Sequence, residues 1–243
     1  MTDAVLKIEG LTAGYQLGLP IIRKVGLNLY QGELVTIIGP NGAGKSTLIK
    51  AVAGLLHIEA GRVELNGNDI TGISTHQMSD ASIAYVPQTE NIFATLTVDE
   101  NLRVGAQALS NGTGRERVKE AYARFPDLRR FSGQKAGVLS GGQRQMLAVG
   151  RALLTHPEVI MLDEPSAGLS PKMVDEVFAQ LVALKASGVT ILMVEQNAKA
   201  AMRISDRTYV LAEGRNRIDG PSAKLLNDPE VSQIYLGRAG KKQ

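Results

Sequence analysis

An α/β fold is predicted, with a mixed β core, a mostly helical subdomain and an antiparallel β-subdomain; three features of the 243-residue sequence predict it. Short apolar, β-branched segments, such as residues 34–38, alternate with segments of helical periodicity, as in folds with a buried parallel sheet. Further strand patterns lie on both sides of the first glycine-rich loop, which favours a mixed or antiparallel sheet there. Residues 89–138 are mostly helical in pattern and interrupt this α/β order.

Length and composition set the domain organisation and exclude several kinds of site. We expect one domain over residues 1–243, with a core at about 1–88 and 139–220, the helical subdomain at about 89–138 and a C-terminal helical region at 221–243. The chain has no cysteine, which excludes disulfides, thiol catalysis and Cys-zinc sites. A net charge of +3 is too small to indicate nucleic acid as a partner.

The sequence carries no signal for membrane insertion or secretion. No run of about 18 apolar residues is present, and the N-terminus lacks a basic region followed by an apolar segment. The basic residues near the C-terminus, Arg238, Lys241 and Lys242, are interpreted as a solvated tail. We therefore expect a cytoplasmic protein.

A glycine-rich loop that fits the phosphate-binding pattern G-x-x-x-x-G-K-[ST] organises the chain. Its residues are Gly39, Pro40, Asn41, Gly42, Ala43, Gly44, Lys45, Ser46 and Thr47. An apolar strand pattern precedes the loop, and apolar residues at helical spacing extend from Leu48 to Leu56 after it. Backbone N–H groups at such a loop and helix start converge on one anion. We expect Lys45 to reach the β- and γ-phosphates of a nucleotide and Ser46 to ligate Mg²⁺.

Two adjacent carboxylates, Asp163 and Glu164, end a second apolar strand pattern at residues 159–165. Ligands of open α/β sheets bind at the carboxyl ends of the strands, so this pair is expected beside the phosphate loop. Asp163 is predicted to hold Mg²⁺, directly or through water, and Glu164 to polarise the attacking water. A pair of solvated acids at a strand end is the simpler alternative, which the long apolar run disfavours.

Three further positions have both a functional and a structural interpretation. Gln88 follows the apolar segment 83–86 and Pro87, so it can coordinate Mg²⁺ or position water, or be an exposed loop residue. Tyr15 can stack on a nucleotide base or pack at a turn, and spacing favours neither. Ser140 can cap the helix that begins in residues 139–143, leaving a second anion-binding helix terminus or only a helix cap.

Local signals also predict the elements of the helical region. Thr97 and Glu100 form a capping-box pattern at a helix start. A charged helix is predicted over residues 115–125, and residues 126–137 are interpreted as a basic loop. Farther along, Pro171 is expected to begin a helix that runs to about Ala186, and a hairpin is expected about Gly214.

In order and spacing, these motifs resemble the ATP-binding cassette (ABC) transporter ATPases. The resemblance rests on the loop at Gly39, on Gln88, on residues 139–143 (Leu-Ser-Gly-Gly-Gln) and on residues 159–165, and it covers essentially the whole chain. Within that family, residues 166–171, 194–198 and 235–237 are similar to one ATPase of the branched-chain (hydrophobic) amino acid uptake transporters. A related group that takes up urea or short amides is not separated from it by sequence.

The resemblance implies an ATP-hydrolysing importer subunit, peripheral on the inner face of the cell membrane. Two cassettes, identical or different, would sandwich two ATP molecules head to tail, with Mg²⁺. Two membrane permease subunits and, indirectly, a periplasmic or extracellular solute-binding protein would complete the transporter, and residues 88–101 would contact the permease. The nucleotide would be contacted by Tyr15, the loop 39–47, Gln88, Ser140, Gly141, Gly142, Gln143 and Asp163.

Two positions depart from the usual pattern of this family. Gln196 stands where a His usually touches the γ-phosphate, and Ser170 follows Leu169 where the family usually has Leu-Asp. Both departures occur in the amino acid subgroup. We hypothesise that Gln196 contacts the γ-phosphate as a weaker catalytic group than His; the alternative is that it caps the helix beginning near Asn197.

Two other functional classes fit the sequence less well. A soluble ABC ATPase that acts on nucleic acid, the ribosome or an assembly scaffold tends to show fused cassettes, a long coiled coil or a basic stripe, and this sequence shows none of them. A regulatory module with little turnover is disfavoured because Lys45, Asp163 and Glu164 are all present.

Overall fold

The computed structural model describes residues 3–78, 80–89, 91–107, 109 and 112–236, and over these residues it has two β-sheets, nine α-helices and three short 3₁₀ helices. The strands are β1 (Leu6–Gly14), β2 (Ile22–Leu29), β3 (Leu34–Ile38), β4 (His57–Leu65), β5 (Asn68–Asp69), β6 (Ile83–Val86), β7 (Val159–Asp163), β8 (Thr190–Val194), β9 (Arg207–Ala212) and β10 (Arg215–Pro221). The helices are α1 (Lys45–Val52), α2 (Val98–Ala106), α3 (Thr113–Arg124), α4 (Pro126–Arg130), α5 (Gly141–Ala152), α6 (Pro171–Ala186), α7 (Ala198–Ile204), α8 (Ser222–Leu225) and α9 (Pro229–Leu236).

The larger sheet has six strands in the order β10-β9-β3-β8-β7-β6. Neighbours from β9 to β6 are parallel, and β10 runs antiparallel to β9, so the sheet is mixed. The second sheet is antiparallel, in the order β2-β1-β4-β5. The predicted fold class, with its mixed core and its antiparallel β-region, is confirmed.

The central strands of the large sheet are apolar because both of their faces are covered. Every residue of β3, β7 and β8 is buried. Along β7, Val159 and Met161 belong to the hydrophobic cluster shared with α1 and the antiparallel sheet, whereas Ile160 and Leu162 belong to the cluster shared with α2, α3, α5 and α6. This two-residue alternation is what a strand between two layers requires. It leaves the carboxyl ends of the strands as the accessible edge.

The segment between β6 and α5 contains α2, α3 and α4, as its helical pattern predicts. The capping box at α2 is confirmed: the Glu100 N–H donates to Thr97 Oγ1 at 3.1 Å, and the Thr97 N–H donates to Glu100 Oε2 at 2.7 Å. Asn101 is buried and fixes the preceding loop, because its Oδ1 accepts from the Phe93 N–H and its Nδ2 donates to the Phe93 carbonyl.

Two local predictions were wrong in part. Residues 126–137 are not simply a loop, since α4 begins with Pro126 at its first turn and buries Leu128 against the core. The helix after the phosphate loop ends at Val52, and Leu55 is 47% exposed rather than on a buried helical face.

The predicted hairpin about Gly214 is formed by β9 and β10, and α8 and α9 follow it. The predicted basic tail, with Arg238, Lys241 and Lys242, lies outside the described residues. No described helix is long and apolar enough to cross a bilayer.

Candidate functional site

The phosphate loop connects the end of β3 to the start of α1 at the carboxyl edge of the large sheet. Gly44 is the N-cap residue of α1 and has a left-handed backbone with φ of 97°. At Gly39 a Cβ atom would lie 2.1 Å from the Leu211 carbonyl oxygen, so a side chain has no room there. These two glycines give the tight path that brings backbone N–H groups to one side of the loop.

Lys45 is buried inside this loop. Its Nζ donates to the carbonyl oxygen of Gly39 at 2.9 Å and to that of Pro40 at 3.2 Å. Burial lowers the pKa of the Lys45 ammonium, and the nearby carboxylates of Glu164 and Asp163 offset part of this effect. The loop thus holds a cation whose hydrogen-bond partners are backbone carbonyls, an arrangement that suits an incoming anion.

Ser46 and Asp163 meet across the loop, although they are far apart in sequence. The Ser46 hydroxyl donates to Asp163 Oδ1 at 2.9 Å, and Asp163 is 2% exposed. A hydroxyl and a carboxylate side by side are a suitable set for Mg²⁺, which takes one or two protein oxygens and fills its remaining positions with water and phosphate oxygens. Among the described residues no group of three or more His, Cys, Asp or Glu could hold a metal ion.

Glu164 adopts a left-handed backbone, with φ of 49°. Such a conformation is strained for a residue with a side chain and is frequent at functional sites. It is held in place because the Glu164 N–H donates to the Val194 carbonyl at 2.9 Å. The Gln88 amide also donates to Glu164 Oε2 at 3.1 Å. Gln88 and Glu164, predicted from separate motifs, are thus in direct contact.

Gln196 reaches the phosphate loop. Its Nε2 donates to Asn41 Oδ1 at 2.9 Å, and both side chains are exposed on the same surface. The N-cap residue of α7 is Asn197, whose Oδ1 accepts from the Ala200 N–H at 3.4 Å. The structure therefore places Gln196 at the site and gives the capping contact to its neighbour.

The Ser140 segment and Tyr15 are not joined to this hydrogen-bonded group. Ser140 and Gln143 form a capping box at the start of α5: the Gln143 N–H donates to Ser140 Oγ at 3.3 Å, and the Ser140 N–H donates to Gln143 Oε1 at 2.9 Å. Gly141 and Gly142 are the first residues of that helix. Tyr15 lies just after β1 and is 53% exposed. Contacts of these residues with nucleotide stay predictions.

The sequence reasoning missed Glu195, a buried carboxylate behind the site. Its two oxygens accept hydrogen bonds from the N–H and the hydroxyl of Ser166, at 2.9 and 2.8 Å, and from the Gln196 N–H at 3.1 Å. Burial raises the pKa of the Glu195 carboxyl, whereas these hydrogen bonds act to lower it. Through these hydrogen bonds, Glu195 connects the loop after β7, which contains Ser166, to the loop after β8, which contains Gln196. A carboxylate directly after an apolar strand was the available signal.

Tyr85 was also missed. Its hydroxyl donates to Asp163 Oδ2 at 3.2 Å, so both carboxylate oxygens of Asp163 are engaged by neighbours. The sequence signal was weak, because an aromatic residue in a short strand is usually explained by packing.

Comparison with known proteins decides the family. The family model described as ABC transporter matches residues 22–167, which is more than half of the chain. The chain belongs to the ABC transporter family. This ABC cassette is therefore an ATP-binding subunit with ATPase activity, as the phosphate loop and the acidic pair predict.

Named relatives of this cassette take part in transport. It is 42% identical to the "Probable branched-chain amino acid transport ATP-binding protein LivF" of Archaeoglobus fulgidus, over 96% of this chain and 99% of the relative. It is 33% identical to the "Lipopolysaccharide export system ATP-binding protein LptB" of Escherichia coli K12, over 96% of this chain and 98% of that one.

Solved structures give the same family. The cassette superposes on the ADP conformation of MJ1267, an ATP-binding cassette of an ABC transporter, with a TM-score of 0.86 and 32% identity, covering 97% of this chain and 100% of that one. It also resembles the dimeric post-hydrolysis state of the cassette MJ0796 bound to ADP and Pi, with a TM-score of 0.75 and 27% identity over 89% of this chain and 98% of that chain.

Proposed function

We propose that this cassette hydrolyses ATP in a head-to-tail dimer and drives uptake of branched-chain or other hydrophobic amino acids through separate membrane subunits. The observation that carries the ATPase mechanism is the placement at one edge of the sheet of the buried Lys45, the Ser46–Asp163 pair and the Gln88–Glu164 pair, whose carboxylates both act on the charge of Lys45. The similarity to the amino acid transport relative, over nearly the full length of both chains, supports the solute class.

Different residues of the site would bind the phosphates and the metal ion. The loop from Gly39 to Thr47 binds the phosphates through its N–H groups, and Lys45 neutralises negative charge on them. Ser46 and Asp163 would hold Mg²⁺, and the side-chain amide oxygen of Gln88 would be a further ligand. When bound, the metal supplies positive charge that offsets the charge of the transferred phosphoryl group.

Glu164 orients and polarises the attacking water. Its strained backbone points to a position fixed by the fold rather than by a flexible loop. Gln88 donates to Oε2, and the remaining lone pairs of the carboxylate can accept from water at the same time. Gln196, whose Nε2 donates to Asn41 Oδ1 in the phosphate loop, would donate to the γ-phosphate.

We propose that the second half of each ATP site comes from another cassette. The Ser140 segment lies apart from the phosphate loop's hydrogen-bonded group, and its capped helix start suits phosphate binding from a partner. The dimeric solved relative with ADP and Pi supports this assembly. Tyr15, exposed after β1, would stack on the adenine base.

The permease would contact the cassette around residues 88–101. Phe93 is 47% exposed in this segment, with the guanidinium of Arg151 5.0 Å from its ring centroid. Asn101 fixes the Phe93 backbone from the buried side, so an apolar side chain is presented rigidly to a partner. The cassette would thus sit peripherally on the inner membrane face.

The proposed division of the chain is a core at 1–88 and 139–220, a helical subdomain at 89–138 that contacts the permease, and a C-terminal region at 221–243.

The partner prediction tests the transport function. The isolated cassette is expected to hydrolyse ATP slowly, and faster after reconstitution with its two membrane subunits and a binding protein, because they favour the closed dimer. The measurement is ATP turnover in proteoliposomes with the binding protein loaded with leucine or left empty. An unchanged rate in both states would contradict a transport role.

The same reconstitution separates the competing solutes. Uptake of labelled leucine but not urea supports the amino acid assignment, whereas urea uptake supports the amide alternative. An export role is the second candidate, since a lipopolysaccharide export subunit is among the relatives. ATP-dependent removal of a lipid from the vesicles, without uptake, would favour it.

The Gln196 hypothesis gives a prediction of moderate size. Gln196→Ala removes a donor to the γ-phosphate, so turnover in the assembled transporter is expected to fall about tenfold. Gln196→His restores a donor that can carry a proton, so it should maintain or raise turnover.

Asn197→Ala is the matched control for Gln196→Ala. It removes the α7 cap next to Gln196 without removing the contact to Asn41. If Gln196→Ala and Asn197→Ala both leave turnover at the parent rate, Gln196 has no catalytic part.

A further inference from the structure

Tyr85 stands beside the proposed metal site without any role in the mechanism described above. It lies on β6, which pairs in parallel with β7 in a register that sets Tyr85 opposite Met161. Asp163 is two residues beyond Met161 and therefore points to the same face of the sheet. A tyrosine is long enough to span the diagonal between such positions. Strand register thus brings the phenol hydroxyl to the carboxylate.

The ring of Tyr85 packs against the core, and its hydroxyl makes a hydrogen bond at the site. Its ring packs against the hydrophobic cluster shared with α1, and the side chain is half-buried. Only the hydroxyl reaches the polar edge, where it donates to Asp163 Oδ2 at 3.2 Å. A phenylalanine at this position would keep the packing and lose the bond.

The Asp163 carboxylate is bound at both oxygens. Ser46 Oγ donates to Oδ1 at 2.9 Å, and the Tyr85 hydroxyl donates to Oδ2. Two donors on opposite oxygens stop the carboxylate from rotating about its Cβ–Cγ bond. The lone pairs that remain then keep a fixed direction, as metal coordination requires.

We propose that Tyr85 is a positioning residue that fixes the Asp163 carboxylate in the orientation in which it holds Mg²⁺. This inference rests on the proposed function. Loss of a hydrogen bond to a metal-ligating carboxylate typically weakens metal binding by roughly 10- to 100-fold. Because the Tyr85 hydroxyl is a neutral donor at 3.2 Å, we expect the lower end of that range, about tenfold.

The test compares two Tyr→Phe variants of the full chain. Tyr85→Phe removes the bond to Asp163, and Tyr122→Phe removes a bond of the same kind, since the half-buried Tyr122 donates to Asp99 Oδ1 at 3.0 Å in the helical region. The binding of a non-hydrolysable ATP analogue is measured in EDTA and across a Mg²⁺ titration. The EPR spectrum of Mn²⁺ bound with the analogue reports directly on the coordination of the metal.

We expect Tyr85→Phe to raise the Mg²⁺ concentration for half-maximal enhancement of analogue binding about tenfold, and to alter the Mn²⁺ spectrum. Analogue affinity in EDTA and the melting temperature should match those of Tyr122→Phe. A Mg²⁺ dependence equal to that of Tyr122→Phe would overturn the positioning role of Tyr85. An absence of Mg²⁺-enhanced binding in the parent chain would instead overturn the proposed function and this inference together.

Discussion

Glu164→Gln is expected to reduce ATP turnover by a factor on the order of a hundred or more, while ATP still binds. The amide keeps the shape of the side chain, but it accepts a proton from water far less readily than a carboxylate. A positioned general base contributes roughly 10²–10⁴-fold to a rate. In the proposed dimer, hydrolysis is the step that allows the two cassettes to separate, so a closed dimer should accumulate in ATP and Mg²⁺. Turnover assays and size-exclusion chromatography measure the two effects.

Glu158→Gln is the control for this experiment. Both substitutions remove one negative charge. Glu158 precedes the first residue of β7, whereas Glu164 follows its last residue, and the Asn66 amide donates a hydrogen bond to Glu158. The turnover of Glu158→Gln should stay near that of the parent, and it should not accumulate a dimer. Unchanged hydrolysis in Glu164→Gln would show that another group acts on the water.

Lys45→Ala is expected to weaken ATP binding by about ten- to a hundredfold and to abolish measurable turnover. In the parent chain, the Lys45 ammonium is expected to make charge-assisted hydrogen bonds to phosphate oxygens, each worth about 1.5–3 kcal/mol, and the variant lacks them. Stability should change little, because the variant loses two bonds to backbone carbonyls and is also relieved of burying a charge. Equilibrium ATP binding and a thermal melt are the measurements.

Lys50→Ala is the matched control, since Lys50 lies in the last turn of the same helix, α1, away from the phosphate loop. Its ATP affinity should equal that of the parent. An equal loss of affinity in Lys45→Ala and Lys50→Ala would indicate a general charge effect, and parent-like affinity in Lys45→Ala would refute the role of the loop lysine.

The parts of the site that were predictable from the sequence are those fixed by local order along the chain. A strand, a glycine loop and a helix must follow one another for residues 39–47 to bind phosphate, and a strand that ends in Asp163 and Glu164 must deliver them to the sheet edge. The helix caps at Thr97 and Ser140 are likewise local patterns.

What could not be predicted depends on which strands become neighbours. β3 lies between β8 and β9, and Tyr85 meets Asp163 only because β6 pairs with β7, whose residues follow more than seventy positions later. The burial of Glu195 under the Ser166 loop likewise depends on side-chain packing between distant segments. Short helix α4 escaped prediction because its stability comes from burying Leu128 rather than from a long periodic pattern.

The hydrogen bond from Gln88 to Glu164 connects the proposed catalytic carboxylate to a segment of chain that reaches the surface at Phe93. Phe93 lies five positions after Gln88. The side chain of Asn101, in α2, accepts a hydrogen bond from the Phe93 N–H and donates one to the Phe93 carbonyl. A partner bound at Phe93 would therefore lie five positions along the chain from the amide that donates to Glu164 Oε2.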